Sequence, residues 1–157
     1  MKLEDGENTF RVVSSAVIGW EYWTEDGGQR KPNRVRDYDD LPKDVQQTQD
    51  RQKQAKHFWA FLVLNRKNNE AQVLELTQKT LMRDIEGLVA SKSWGDPKAY
   101  DITIARTKTG SEARDVKYSV RPEPKEELDE GIRAFIDALE VDLNKLFTGE
   151  DPFGTQA

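Results

Sequence analysis

Aromatic rings interleaved with basic side chains are the densest chemistry this chain offers. Trp20, Tyr22 and Trp23 lead into Arg30, Lys31, Arg34 and Arg36. Trp59 and Phe61 lie between Lys56 and Arg66, and a third stretch carries Arg106, Lys108, Arg114, Lys117, Tyr118 and Arg121. A flat ring stacks on any nucleobase for roughly 1–3 kcal/mol per base, while a cationic neighbour meets the phosphate. The pattern predicts a sequence-tolerant groove for single-stranded nucleic acid, with Arg11 as a further phosphate contact. The competing reading makes Phe58, Phe61 and Tyr100 core residues and the Lys/Arg set an ordinary solvated face. Three aromatics within positions 20–23 cannot all point inward from one strand, because side chains alternate between faces.

Other chemistry is thin. The chain has no cysteine and a single histidine, His57, which argues against thiolate metal sites, disulfides and a serine–histidine relay. A glycine-rich phosphate loop and a GxSxG motif are absent. Asp101 and Asp115-Val116-Lys117 imitate the acid and acid-x-Lys pattern of metal-dependent nucleases, but the match is short and lacks the helix–strand context. No catalytic residue, metal or cofactor is expected, and a binding protein is favoured over an enzyme.

Charge is unevenly placed. Residues 1–121 hold 21 Lys/Arg against 19 Asp/Glu, whereas residues 122–157 hold 3 against 10. A near-neutral body followed by an acidic end suits a protein whose body holds an anionic strand and whose tail repels it or recruits partners. Glu150 and Asp151 join acidic charge to Pro152-Phe153, a small hydrophobic plug for a partner's basic-rimmed pocket. Neither a run of about 18 apolar residues nor a signal-like start is present, so a soluble intracellular protein without membrane partners is expected.

The elements follow from periodicity. Residues 9–23 read as a long strand, bent at Ser14-Ser15 or Gly19. Residues 24–55 lose apolar periodicity and read as a long loop holding one short helical turn around 43–54. Residues 56–66 and 71–76 form a hairpin around the turn Lys67-Asn68-Asn69-Glu70. Thr77 caps a helix with Leu81, Ile85, Leu88 and Val89 on one stripe, ended by Trp94-Gly95-Asp96-Pro97. Residues 100–107 and 114–121 make a second hairpin. From Glu126 to about Phe147 an amphipathic helix carries Leu128, Ile132, Phe135, Ile136, Leu139, Leu143 and Leu146.

Strand, loop, strand, strand, helix, strand, strand is the order of an OB-fold, a five-stranded Greek-key β-barrel. The expected plan is this mainly β domain over 1–122 with a long loop at 24–55, an acidic amphipathic helix over 123–148, and a disordered acidic tail over 149–157.

Three segments carry a resemblance: KLEDGENTFRVVSSAVIGWEYW, KHFWAFLVLNRKNNEAQVLELTQKTL and WGDPKAYDITIARTKTGSEARDVKYSVRP. They resemble bacteriophage single-stranded DNA-binding proteins of the T4-like helix-destabilising group, over roughly residues 1–122. The resemblance implies an OB-fold core that coats single-stranded DNA during phage replication, recombination and repair in the cytoplasm of the infected bacterium. It also implies cooperative binding and an acidic tail that docks replication or recombination proteins, while the apolar stripe of the last helix either packs on the barrel or offers a surface for self-association. The zinc module of the T4-like proteins has no counterpart, since cysteine is lacking. Asp151-Pro152-Phe153 is similar to the acid-rich Pro-Phe ending of bacterial single-stranded DNA-binding proteins, but there Pro-Phe ends the chain, whereas here Gly154 to Ala157 follow Phe153. The alternatives are an OB-type module that binds a host or phage protein, and a metal-dependent nuclease.

Overall fold

The computed structural model describes residues 1–154. It is mainly β, with seven strands in one antiparallel sheet that is not closed into a barrel. The strands are β1 (Gly6–Val12), β2 (Val17–Asp26), β3 (Gln29–Val35), β4 (Lys56–Asn65), β5 (Glu70–Leu76), β6 (Tyr100–Lys108) and β7 (Val116–Lys125). Their order is β3-β2-β4-β1-β6-β7, with β5 also paired to β4. The helices are α1 (Lys43–Gln47), α2 (Lys79–Ala90) and α3 (Glu130–Asp137). Among the described residues, no helix is long and apolar enough to cross a membrane. The chain divides into two compact units: residues 1–15 with 61–139, and residues 16–60 with the chain from Glu140 onward.

In the first unit, the end of β4 lies between β5 and β1, and β6 joins β1 to β7. Phe10, Val63, Leu64, Leu74, Leu76, Leu81, Ile102 and Ile104 are fully or almost fully buried. The bend after β1 falls at Ser14-Ser15, and Ser14 explains how it is held. Its Oγ accepts the Leu62 N–H at 2.8 Å, replacing a backbone carbonyl where the ladder is interrupted. In the β4–β5 turn, Asn69 takes a left-handed conformation (φ 55°), which Asn tolerates better than most residues. The buried face of α2 is Leu81, Met82 and Ile85, while Val89 is exposed. Its N-cap is Gln78 rather than the expected Thr77, with no side-chain cap bond. Beyond α2, Gly95 adopts φ +65° and Trp94 packs edge-on against buried Tyr100.

In the second unit, β2 runs between β3 and residues 56–60 of β4. The loop expected over 24–55 instead contains a hairpin. Gly27 and Gly28 both have positive φ, which is the backbone of a two-residue type I′ reversal, and the polar strand β3 follows. A 3-10 turn at Tyr38–Asp40 and α1 come next, so a helical turn does form near 43–54.

The helix expected over 123–148 forms in two pieces. Residues 123–125 belong to β7, α3 spans Glu130–Asp137, and a 3-10 turn covers Leu143–Phe147. Asp129 and Asp142 explain the division, because each caps its own segment by accepting an N–H two residues on. The tail expected to be disordered over 149–157 is tied down as far as it is described. Glu150 N–H donates to the Lys145 carbonyl at 3.0 Å, and the Pro152 carbonyl accepts the Asp142 N–H at 2.9 Å. Residues 155–157 lie outside the described residues.

Candidate nucleic-acid interface

Side chains alternate along a strand, so the pairing registers of the second unit decide which rings share a face. Ile18 pairs with Trp59, Trp20 pairs with His57 on one side and Val35 on the other, and Tyr22 pairs with Asn33. Ile18, Trp20, Tyr22, His57 and Trp59 therefore occupy one face. The face stays open: Ile18 is 53% exposed and the four rings are half-buried. Tyr38 extends it from the turn after β3, edge-on to Trp20 with ring centroids 5.0 Å apart. Trp20 and His57 lie 5.1 Å apart with planes tilted by 48°.

The opposite face is built differently. Gly19 pairs with Phe58 and Glu21 with Lys56, and Arg34 lies opposite Glu21. Phe58 is buried beneath the C-terminal turn, 5.9 Å from the Phe147 ring. A side chain at Gly19 would come within 2.5 Å of the Val35 carbonyl and 2.9 Å of Phe147, so this close approach needs glycine. Arg36 stacks over Phe147 at 4.2 Å and donates to Asn144 Oδ1 at 2.7 Å. Trp23 also belongs to this face, away from the other rings, with Arg30 over its indole at 5.1 Å. Beside them runs a groove of about 620 Å³ whose charges are Arg30 and Lys53 against Glu25, Asp44 and Asp50. Its acidic excess is unsuited to a phosphate.

The remaining residues expected to bind nucleic acid are mostly engaged elsewhere. Phe61 is core, packed on Phe10, and offers no ring to a ligand. Arg11 is only 3% exposed and cannot meet a phosphate; its Nε donates to Asp101 Oδ1 at 2.8 Å. Arg66 bonds the other oxygen of Asp101 at 3.3 Å, and Arg34 pairs with Glu21 at 3.3 Å. Arg106 pairs with Asp5. Hydrogen bonding by Tyr118, with Asp5 beside it, pushes the Arg106 guanidinium further toward its charged form. Arg121 bonds Glu7 at 3.1 Å and Glu123 at 3.0 Å. Lys31, Lys56, Lys108 and Lys117 are exposed. Of the plug and its acidic flank, Glu150, Asp151 and Phe153 are exposed and Pro152 is half-buried.

The nuclease pattern is not assembled. Asp101 lies near the start of β6, whereas Asp115 lies just before β7, at the opposite end of the hairpin. About seven residues of strand put them roughly 23 Å apart. Asp101 is held by two arginines, and Asp115 accepts the Glu112 N–H at 3.0 Å. Among the described residues, no three His, Cys, Asp or Glu side chains are grouped to hold a metal ion.

His57, Tyr38 and Ile18 are the members of the ring face that the sequence reading omitted. Strand parity places His57 with Trp59, a signal available from the alternation in KHFWAF. Tyr38 had no such signal, because its placement depends on the turn after β3. The chain matches no protein-family model and no curated protein.

Proposed function

We propose that this chain is a non-enzymatic, sequence-tolerant single-stranded DNA-binding protein that stacks bases on the ring face of its second unit. The observation that carries the reading is the open face formed by Trp20, Tyr22, Tyr38, His57 and Trp59. Half-exposed rings at strand spacing suit successive bases, since every base offers a π-face. The resemblance to phage proteins supports a role in phage DNA replication, recombination and repair within the infected bacterium. An OB-like reading of the first unit rests on its neighbour order, β6-β1-β4-β5, which is the fourth-first-second-third arrangement of a Greek key. The helix between β5 and β6 stands where an OB-fold carries its own, and partly open barrels belong to that class. Titration with oligo-dT at low salt tests the reading: saturable quenching of tryptophan fluorescence is expected, and its absence at micromolar protein rejects it.

A second reading has one observation in its favour. The ring face is poor in cations, which suits a protein partner as well as a strand. In that case the chain is an interaction module, and a host or phage protein captured after nuclease treatment, without any DNA shift, distinguishes it. The acidic Glu150–Phe153 segment remains a candidate contact for replication or recombination proteins under either reading, and self-association is open to both.

A further inference from the structure

The registers of the second unit separate the rings around Trp20 from most of the charge. Among the described residues of β2, β3 and β4, Lys31 is the sole cation on the face of Trp20, and Asp26 is the sole carboxylate there. Arg30, Arg34 and Lys56 belong to the opposite face, where the C-terminal turn covers Phe58. In the first unit, Arg11 and Arg66 share Asp101, while Arg106 faces Asp5 and Arg121 faces Glu7.

We infer that the ring face reads bases and leaves the phosphates in solvent. Its ligand class is then a single strand whose backbone charge contributes little to affinity. This deepens the single-strand reading above and rests on it. The physical argument is counterion release: each phosphate neutralised by a side chain frees condensed cations, and affinity then falls by roughly 0.7 log units per contact for each tenfold rise in salt. A strand held by nine phosphate contacts would give a slope of about −6. A face with Lys31 alone gives about −0.7. Stacking on neutral rings adds almost nothing to that slope, because no charge is neutralised.

The test titrates the full chain with an oligo-dT of about 15 nucleotides and with its uncharged methylphosphonate counterpart, across roughly 20–200 mM salt. The expected result is that the two affinities agree within about threefold and the slope for oligo-dT is shallower than about −2. A larger loss on the uncharged strand, or a steeper slope, overturns the inference while leaving single-strand binding intact. If neither oligomer binds, the single-strand reading fails and this inference fails with it.

Discussion

Trp20 and His57 sit directly opposite one another on β2 and β4, with ring centroids 5.1 Å apart, and Tyr38 meets the same indole edge-on at 5.0 Å. The indole is thus braced by two rings, which fixes its plane before any ligand arrives. Preorganisation of this kind lowers the ordering cost of binding. Trp23, only three residues on, faces the other way under Arg30.

The first prediction follows from that contrast. Trp20→Ala weakens oligo-dT binding by about tenfold or more, in line with roughly 1–3 kcal/mol per stacked base. Trp23→Ala changes it by less than about threefold, although Trp23 is 44% exposed and is the more obvious surface ring. Fluorescence anisotropy on labelled oligo-dT measures both, and equal losses would sink the assignment of faces.

Much of this arrangement can be read in the sequence, and the parts that cannot have physical causes. The alternation in Lys56–Asn65, the Asn-rich turn after it and the bend at Ser14-Ser15 are local, and they form where periodicity and turn chemistry place them. The Gly27-Gly28 reversal is also local, but its flanks are polar and exposed, so no apolar alternation marks β3 as a strand. The amphipathic stripe after Glu126 continues through Asp142, yet that side chain caps a separate turn. The cations are the hardest case. Arg11 and Asp101 are 90 positions apart in the chain, so only the fold shows that this basic residue is already paired.

A second prediction concerns that pair. Asp101 serves both Arg11, which is buried, and Arg66, whose Nη1 is buried without a hydrogen-bond partner. Asp101→Ala leaves two guanidinium groups uncompensated and should cost about 3–5 kcal/mol, as loss of one member of a buried ion pair does. Urea denaturation gives the value, and a cost below about 1 kcal/mol would contradict the burial argument.

Gly19 supports a third. A methyl group there meets the Val35 carbonyl at 2.5 Å, and backbone cannot swing aside as a flexible side chain can. Gly19→Ala should destabilise the chain by about 1–3 kcal/mol, the usual cost of overpacking. Gly87 lies in α2 with open space around its missing side chain, so Gly87→Ala should be neutral or stabilising. Thermal melts of the two variants in parallel check the contrast, which is lost if both shift alike.

The fourth is a pH dependence. The Thr103 hydroxyl at 2.8 Å and the Arg121 guanidinium at 3.0 Å hold the Glu123 carboxyl below its usual range. A depressed pKa in the folded chain means that the unfolded chain takes up this proton first as pH falls. The contribution is therefore complete above the ordinary carboxylate range and is lost as pH drops through the lowered value. Melting temperature measured between about pH 6 and pH 3 should fall less steeply for Glu123→Gln than for the parent chain. Identical slopes would remove Glu123 from the account.

Photo-crosslinking reports which face of the chain the strand lies on. A bromodeoxyuridine oligonucleotide bound to the full chain is irradiated, and the attached peptides are mapped by mass spectrometry. Adducts are expected at Trp20, Tyr22, Tyr38, His57 or Trp59, in the peptides covering residues 16–38 and 56–60. Adducts confined to the β6–β7 hairpin around Lys108 to Arg121, or to Trp23 alone, would contradict base stacking on the ring face.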